Sequence, residues 1–288
     1  MAPHPTILVS GAAGKTGLAV IRALAASGAK VNALTRRAEQ TQCVSEAGAA
    51  HVISGDLADA HLVSKAMEGA DAVYLILPNV HPNETALGLI AIKAAKNNGV
   101  RSFVYHSVLF PQIEAMPHHW QKLRVEEALV QSGLAFTILQ PASYMQNIGP
   151  HWEEIKATGL YRVPYSIDAD FSLLDLGDVA AAASHCLLEP GHTGATYQLA
   201  GPERLTPKEM AREMGHYLGR AVNAIQQPLD EWSESAKAAK LTSYAIETLT
   251  KMFLYYDQHG FSGSAQTLEY LLGRRATTFG EYLETLAG

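Results

Sequence analysis

The feature that most constrains the fold is a glycine-rich turn between an apolar run and a helical pattern near the N-terminus. The run Thr6–Ser10 predicts a buried strand, and Leu18–Ala26 predicts a helix. Gly11, Gly14 and Gly17 stand between them. In such a unit the first glycine permits a tight turn, the second lets the backbone approach a pyrophosphate, and the third allows close helix packing. The pattern indicates a dinucleotide-binding turn, with a purely structural glycine turn as the alternative.

The rest of the first half alternates apolar runs with helical patterns. We predict further strands at Val31–Leu34, 52–53, Ala72–Leu77, Ser102–His106 and Phe136–Leu139, and helices at Glu39–Ala47, Ala58–Glu68, Glu84–Asn97 and His119–Gln131. Strands that are apolar along their length are typical of a parallel sheet covered on both faces. Right-handed crossovers then give an α/β fold with a doubly wound parallel Rossmann sheet. Ligands bind such sheets beyond the carboxyl ends of the strands.

The second half is less regular and predicts a smaller, mostly helical C-terminal lobe. We expect short strands at Tyr161–Val163 and Tyr197–Leu199, and helices at Asp178–Leu188, at Pro207–Leu218 after the N-cap Thr206, and across most of Leu229–Leu286, with breaks near Gly260 and Gly273. The predicted division is a dinucleotide-binding Rossmann domain at 1–141 and a substrate lobe at 142–288. Segments near 170–200 are expected to return to the first domain.

Composition excludes several classes of protein. The net charge is −6 and no run of five Lys or Arg residues occurs, so no nucleic-acid partner is expected. No apolar run approaches the roughly 18 residues that span a bilayer, so no membrane partner is expected. Cys43 and Cys186 are too few for a disulfide framework, and both lie in apolar helical patterns that predict buried thiols. A first strand so close to Met1 leaves no room for a signal peptide. These features favour a reducing, cytoplasmic compartment.

The residues after the second strand favour NADP(H) over NAD(H). Sites that prefer NAD place an acidic residue there to bind the adenosine ribose. This chain reads Leu34-Thr35-Arg36-Arg37 instead. Arg36 is predicted to bind a 2′-phosphate through charge-assisted hydrogen bonds, and Lys15 adds a second positive charge within the turn. The alternative is that these are solvated surface cations.

Polar and loop residues follow the third and fourth strands. Asp56, in Gly55-Asp56-Leu57, is placed to accept from the adenine amino group, or else to cap the helix near Ala58. Leu77 and Pro78 follow the fourth strand on the path toward the nicotinamide, where either backbone contacts are expected or the loop is only a turn. The predicted cofactor site therefore comprises the turn and the loops after three strands, namely Gly11, Ala13, Gly14, Lys15, Thr16, Gly17, Arg36, Asp56, Leu57, Leu77 and Pro78.

Several of these segments together resemble one family. The turn GAAGKTG, the short segments TRR and GDL, and HHWQKLRVEEALVQSGLAFTILQPASYMQN are similar to the NmrA-like branch of the atypical short-chain dehydrogenase/reductases. So are LLDLGDVAAAASHCL, TPKEMAREMGHYLGR, YYDQHGF and YLLGRR, and the resemblance covers most of the chain. It implies a Rossmann core with a small C-terminal substrate lobe. Members are reductases of quinones, dyes, phenylpropanoids and other conjugated compounds, or catalytically silent sensors of the nicotinamide redox state.

The parent enzymes of this family use a Tyr-x-x-x-Lys pair, which this chain lacks in part. Lys122 stands in the lysine place, but His118 stands four residues earlier. The resemblance places Lys122 at the nicotinamide ribose. The residues alone also allow a lysine that polarises a substrate oxygen, a lysine that acts as an acid, or an exposed helix lysine.

Ser107 and Tyr144 are the other candidate catalytic residues. The Ser107 hydroxyl ends the fifth strand, where it bonds either a substrate carbonyl or local backbone. Tyr144 follows the sixth strand, in a loop that by resemblance lines the substrate pocket, and it is suited to stack on a flat substrate or donate a proton. His118 and His119 point about 100° apart on a helix, and a surface role is favoured for each. No metal-ligand spacing is present.

These features favour an NADPH-dependent reductase that transfers hydride to a small conjugated or quinone-like acceptor. The alternative is a non-catalytic NADP(H) redox-sensing regulator of the NmrA type. An isomerase or epimerase with tightly held NAD is disfavoured by the arginines after the second strand and by the missing tyrosine. The sequence leaves the substrate and the oligomeric state open.

Overall fold

The computed structural model describes residues 5–286, which divide into two compact units. The first unit contains residues 5–112, His119–Gln140 and Leu176–Tyr197. The second contains Ile113–His118, Pro141–Asp175 and residues 198–286. The chain therefore leaves the first unit and returns to it late, through a segment within the expected 170–200 region.

The first unit is built on a doubly wound sheet. The strands of the described chain are β1 Thr6–Val9, β2 Lys30–Thr35, β3 His51–Ser54, β4 Ala72–Leu75, β5 Ser102–His106, β6 Phe136–Pro141, β7 Leu160–Val163, β8 Ala195–Leu199 and β9 Asn223–Gln226. The main sheet has the order β3-β2-β1-β4-β5-β6-β8, and its pairs from β3 to β6 are parallel. The order reverses beside β1, so the predicted Rossmann architecture is confirmed.

Helices cover both faces of this sheet. The helices of the described chain are α1 Lys15–Ala26, α2 Thr41–Glu46, α3 Ala60–Met67, α4 Glu84–Asn97, α5 Pro117–Val130, α6 Trp152–Thr158, α7 Leu176–Leu188, α8 Pro207–Leu218, α9 Leu229–Ala238, α10 Ser243–His259, α11 Gln266–Leu272 and α12 Phe279–Thr285. One face carries α3, α4 and α5 over a buried apolar cluster that includes Leu75, Phe103 and Val125. Helices α1 and α7 pack against each other.

Helices α4 and α5 approach closely at a glycine. A Cβ on Gly88 would lie 2.6 Å from Val125 Cγ2. Interatomic separations that short are repulsive, so only glycine lets the two helices come this near. The close approach brings the first turn of α4 next to the middle of α5.

The second unit is mostly helical, as predicted, and contains the two-stranded parallel sheet β7-β9. Thr206 caps α8 as expected: its side chain accepts from the Glu209 backbone N–H, the Glu209 carboxylate accepts from Thr206, and the helix ends at the left-handed Gly219. The strand β9 and the helix α6 were not predicted. A four-residue strand whose partner lies some sixty residues away leaves a weak periodic signal.

Three local expectations were wrong. The predicted helix Glu39–Ala47 is a 3₁₀ turn at Ala38–Gln40 followed by the shorter α2. Cys43 is exposed, whereas Cys186 is buried as expected, and burial raises the pKa of the Cys186 thiol to about 12. β4 ends at Leu75 rather than Leu77, because Ile76 bonds a serine side chain instead of continuing the ladder.

Among residues 5–286, no helix is both long and apolar enough to cross a membrane.

Candidate functional site

The glycine turn is shaped by contacts that only glycine permits. Gly11 has φ +57°, a left-handed conformation, and a Cβ there would lie 3.0 Å from Ile76 Cβ. A Cβ on Gly17 would lie 2.5 Å from the Gly11 carbonyl oxygen, so the third glycine seats α1 against the turn. Gly14 is exposed and is the N-cap of α1, with no side chain to cap the helix. The N-terminal end of α1 therefore faces outward, with its dipole suited to an anion.

A serine fixes this turn to the neighbouring strand. The Ser10 hydroxyl donates to the Ile76 carbonyl oxygen at 2.8 Å and accepts from the Ile76 backbone N–H at 2.8 Å. The loop after β4 therefore starts from a defined position beside the glycines. Leu77 in that loop is buried and Pro78 is exposed, at the carboxyl end of the sheet where the sequence predicted them.

Arg36 lies exposed directly after β2. Its side chain makes no hydrogen bond or salt bridge with the described residues. The loop that carries it is nevertheless ordered: the Thr35 hydroxyl donates to the Arg37 carbonyl oxygen at 3.3 Å, and the Gln40 side chain accepts from the Arg37 N–H at 3.1 Å. A guanidinium on a fixed loop at the carboxyl end of β2 is suited to bidentate recognition of a phosphate.

Asp56 lies exposed after β3, and it does not cap the following helix. Asp59 caps α3 by accepting from two backbone N–H groups, whereas Asp56 Oδ1 accepts from the Ala58 N–H at 2.9 Å in a local turn. The alternative interpretation of Asp56 as the helix cap was therefore wrong. The second carboxylate oxygen remains available at the carboxyl end of the sheet, next to the half-buried Leu57.

Lys122 is buried and not an exposed helix lysine. Its Nζ lies 2.5 Å from Glu84 Oε1, and the side chains of Lys122 and Glu84 are 7% and 0% exposed. Glu84 starts α4, which the close contact at Gly88 brings next to α5. Burial raises the pKa of the Glu84 carboxyl, against the attraction of the Lys122 ammonium. Glu84 was not predicted as a site residue, because a glutamate in a first helical turn is usually solvent-exposed.

The Ser107 hydroxyl bonds a buried side chain, whereas the Ser107 backbone N–H donates to the Leu139 carbonyl oxygen at 2.8 Å. Its hydroxyl donates to Glu126 Oε1, and Gln140 Nε2 donates to the same carboxyl, 3.0 Å from each oxygen. All three residues are buried. Burial raises the pKa of the Glu126 carboxyl, and the hydrogen bonds from Ser107 and Gln140 oppose that effect. Glu126 and Gln140 were not predicted as site residues.

Tyr105 lies near the glutamates of both of these groups. Strand alternation puts Tyr105 and Ser107 on the same face of β5 as the buried Phe103, toward α4 and α5. The Tyr105 hydroxyl and Glu84 Oε2 are both buried without a hydrogen-bond partner among the described residues. Burial raises the pKa of Tyr105 well above its ordinary value, and the nearby Glu84 and Glu126 raise it further.

We call this buried group at the carboxyl end of the sheet the polar layer. It comprises Glu84, Tyr105, Ser107, Lys122, Glu126 and Gln140. The layer contains two carboxyls, one ammonium, one amide and two hydroxyls, and it adjoins the buried apolar cluster. Such clustering of ionisable groups in a dry environment is typical of functional sites.

The histidines of α5 and β5 are buried, contrary to the surface role favoured for His118 and His119. Both of these are almost completely buried. His119 Nδ1 lies 3.1 Å from the Phe110 carbonyl oxygen, and burial lowers the pKa of His119 to about 4. On the opposite face of β5, His106 Nδ1 lies 2.7 Å from the Tyr74 hydroxyl, and burial lowers the pKa of His106 to about 3. His106 and His119 are therefore neutral near pH 7.

Tyr144 belongs to the second unit. It is half-buried and precedes a short 3₁₀ turn at Met145–Asn147. Its loop is held by Leu174, whose N–H donates to the Ser143 carbonyl oxygen at 2.9 Å and whose carbonyl accepts from the Met145 N–H at 3.0 Å. Across residues 5–286, no group of three or more His, Cys, Asp or Glu side chains is arranged to hold a metal ion.

A sequence profile of the NmrA-like family matches residues 3–283, nearly the whole chain. The chain belongs to the NmrA-like family. The family resemblance inferred from the glycine turn and the later motifs is thereby confirmed. Within this NmrA-like chain, the glycine turn and the loops after β2, β3 and β4 lie at the carboxyl end of one parallel sheet, where a Rossmann fold binds its ligand.

Two relatives align with this NmrA-like protein along almost its full length. An NAD(P)H azoreductase of Xenophilus azovorans is 27% identical over 282 residues, which are 98% of each chain. A (4-alkanoyl-5-oxo-2,5-dihydrofuran-3-yl)methyl phosphate reductase of Streptomyces griseus is 30% identical over 283 residues, 96% of each chain. Both relatives bear the names of reductases.

The fold is shared with a solved structure from Escherichia coli. The NADPH-dependent quinone oxidoreductase QOR2, complexed with NADPH, superposes with a TM-score of 0.85 over 98% of this chain and 100% of that one, at 24% identity. At this identity the likeness establishes the architecture of the NmrA-like chain. Roles of individual residues rest on their own contacts in this chain.

Proposed function

We propose that this protein is an NADPH-dependent reductase that transfers a hydride to a small conjugated or quinone-like acceptor. The observation that carries the proposal is the glycine turn, which leaves the N-terminus of α1 uncapped and outward-facing at the carboxyl end of the sheet. The two full-length relatives, an NAD(P)H azoreductase and a furanone phosphate reductase, support the reductase class.

The residues present fit a dinucleotide phosphate. Gly14, at the N-cap of α1, gives the backbone close access to a pyrophosphate, and the helix dipole favours its charge. The exposed Arg36 supports a preference for NADPH over NADH, because it replaces the acidic residue that would bind an unphosphorylated ribose. Asp56 is suited to accept from the adenine amino group. NADPH bound there would supply the hydride.

The chain's own residues would orient the reactive end of the cofactor. We assign backbone contacts to Leu77 and Pro78, which follow β4 from the position set by Ser10. We assign Lys122 to the nicotinamide ribose, with Glu84 fixing the ammonium in place. Tyr144 is assigned to stack on a flat acceptor, in keeping with the half-buried aromatic ring on an ordered loop.

The acceptor class follows from the chain's departure from the Tyr-x-x-x-Lys pair. His118 replaces the tyrosine that the parent enzymes use as their acid. Quinones and conjugated carbonyl compounds are strong electrophiles, so they need less help from an acid than a simple ketone does. The names of the relatives, which reduce azo compounds and a conjugated furanone, support this class over simple ketones. They also weigh against the regulator alternative.

The decisive experiment has two stages. NADPH and NADH are first titrated by calorimetry to measure Kd, and NADPH oxidation is then followed at the cofactor's absorbance with a panel of quinones, enones, azo dyes and simple ketones. We expect tighter binding of NADPH than NADH, and turnover with at least one conjugated acceptor. Tight NADPH binding without turnover across the panel would overturn the reductase assignment in favour of the redox-sensing regulator.

A further inference from the structure

The proposed reaction needs a proton in addition to the hydride, and the tyrosine that usually donates it is missing from this chain. An acceptor that has received a hydride at carbon carries a negative oxygen, which must be protonated. In the parent enzymes a tyrosine performs this step, and His118 stands in its place here. The polar layer lies at the same end of the sheet and contains groups able to hold that proton, an inference that rests on the proposed function.

Most ionisable groups of the region are unsuited to give a proton. Tyr105 is fully buried with its pKa raised, so it holds its proton firmly. His106 and His119, with pKa values near 3 and 4, are neutral imidazoles near pH 7. If Lys122 lost its proton, the buried carboxylate of Glu84 would remain without its counter-ion, which is strongly unfavourable.

Glu126 differs from these groups in both its state and its neighbours. It is buried and its pKa is raised, so the protonated acid persists to a higher pH than in an ordinary glutamate. Its Oε1 is hydrogen-bonded to the hydroxyl of Ser107, the first residue after β5. The charged or titratable groups that face it are Lys122 on its own helix and Tyr105 on β5.

We propose that Glu126 supplies, through the Ser107 hydroxyl, the proton that completes reduction of the acceptor. With Glu126 protonated, its O–H donates to Ser107 Oγ, and the Ser107 O–H is released to donate to the acceptor oxygen, directly or through one water molecule. The Ser107 Oγ and Glu126 Oε1 atoms are close enough for a hydrogen bond that either of them can donate. Ser107 is the catalytic residue, and Glu126 acts through it.

The step balances in atoms and charge. The acceptor has gained two electrons and one hydrogen from the reduced nicotinamide. The Ser107 O–H bond breaks as a new O–H bond forms on the acceptor oxygen, and the Glu126 O–H bond breaks as the Ser107 hydroxyl is restored. Glu126 is left as a carboxylate, stabilised by Gln140 Nε2 at 3.0 Å from both oxygens, and a proton from water restores the acid after product release.

The first test detects the proton on the Glu126 carboxyl directly, in the absence of turnover. Infrared difference spectra of the NADPH-free protein, recorded as a function of pH, are expected to contain a protonated carboxyl band that persists above the ordinary pKa of glutamate. Glu126→Gln should remove the Glu126 component of that band, and Ser107→Ala should shift the frequency of the same component. The control Glu127→Gln changes an exposed neighbour on the same helix and should leave the band intact. A Glu126 carboxyl that is already ionised near pH 6 overturns the proposal.

The second test follows the chemical step in single-turnover reduction of a quinone or enone. Glu126→Gln and Ser107→Ala are each expected to slow that step about 100-fold, the range for loss of a general acid, with the Kd of NADPH unchanged. Ser107→Thr, which keeps the hydroxyl, should recover most of the rate. The wild-type rate should fall as rising pH ionises Glu126, and the Glu126→Gln rate should be flat over the same range.

The outcomes separate this proposal from the function on which it rests. If the wild-type protein binds NADPH but reduces nothing, the reductase assignment fails and the relay fails with it. If the wild type turns over and Glu126→Gln keeps both the rate and the pH profile, only the relay is overturned. If Glu126→Gln does not fold, Ser107→Ala tests the relay instead. This variant keeps the hydrogen bonds between the Glu126 carboxyl and Gln140.

Discussion

Lys122 and Glu84 form an ion pair that is closed to solvent: Nζ and Oε1 lie 2.5 Å apart, and the glutamate side chain has no exposed surface. Two charges are stable in such a place only together, since each compensates the desolvation of the other. The pair also ties the first turn of α4 to the middle of α5. Glu84 on α4 thus fixes the position of Lys122, the lysine of α5 that is assigned to the cofactor.

Removing one member of this pair should strongly destabilise the fold. Glu84→Gln leaves a buried ammonium without a counter-ion, and we expect the free energy of unfolding to fall by about 3–5 kcal/mol. Urea unfolding followed by circular dichroism measures the change. The matched control Glu247→Gln breaks an exposed pair with Lys251 and should leave the stability nearly unchanged, because solvent screens that pair. The double replacement Glu84→Leu with Lys122→Met should recover most of the loss, and failure to do so would contradict the pairing argument.

The buried histidines predict a loss of stability in mild acid. His106 and His119 have pKa values near 3 and 4 in the folded protein and about 6.5 when unfolded. Because the unfolded chain binds the extra protons, stability is complete above pH 6.5 and falls as the pH is lowered toward those folded values. The slope is at most about 1.4 kcal/mol per pH unit for each histidine. Urea unfolding between pH 4.5 and 7.5 measures it.

A variant isolates the contribution of one histidine. His106→Gln should make the pH profile shallower by about one proton over that range, whereas His151→Gln, which changes an exposed histidine, should leave the slope unaltered. An unchanged slope in His106→Gln would show that His106 is not the group that titrates.

Arg36 should decide between the two nicotinamide cofactors. Arg36→Ala is expected to weaken NADPH binding about 10- to 100-fold, the worth of charge-assisted hydrogen bonds, and to change NADH binding little. Calorimetric Kd values for both cofactors test this. Arg22→Ala removes an equally exposed arginine from the body of α1 and is the control for net charge. Equal losses for NADPH and NADH would refute the 2′-phosphate assignment.

Gly17 should tolerate no side chain. In Gly17→Ala the new Cβ would lie 2.5 Å from the Gly11 carbonyl oxygen and 2.7 Å from Ala12 Cα, so backbone must move. We expect a loss of about 1–3 kcal/mol in stability and at least a tenfold loss of NADPH affinity. Gly149→Ala, which meets nothing within 4 Å, should be neutral in both assays. Wild-type NADPH affinity in Gly17→Ala would show that the turn does not depend on this contact.

The architecture was predictable because the sheet is buried on both faces. Apolar runs such as Ser102–His106 are recognisable as buried strands, and α4 begins and ends where its pattern predicts. The second unit was predicted less completely. β9 has only four residues, and its partner β7 is distant in sequence, so nothing local distinguishes it from a loop.

The glycine turn was also recognisable from the sequence, whereas only Ser107 and Lys122 of the polar layer were singled out. Lys122, Val125, Glu126 and Leu129 repeat at the spacing of one helix face, and this face is the buried one. Charged residues on a helix are usually solvent-exposed, so Glu126 was not singled out and an exposed lysine remained an alternative for Lys122. An apolar stripe interrupted by one lysine and one glutamate was the signal that could have located the layer.

The Ser10 hydroxyl takes the place of a peptide group. The Ser10 backbone N–H makes the last ordinary rung with Tyr74, and its side chain then makes both bonds to Ile76 while its own backbone bends away. The sheet therefore gains one more rung than the main chain of β1 provides. The alignment of β1 with the residues that follow β4 is thereby fixed by one side chain before the glycine turn begins.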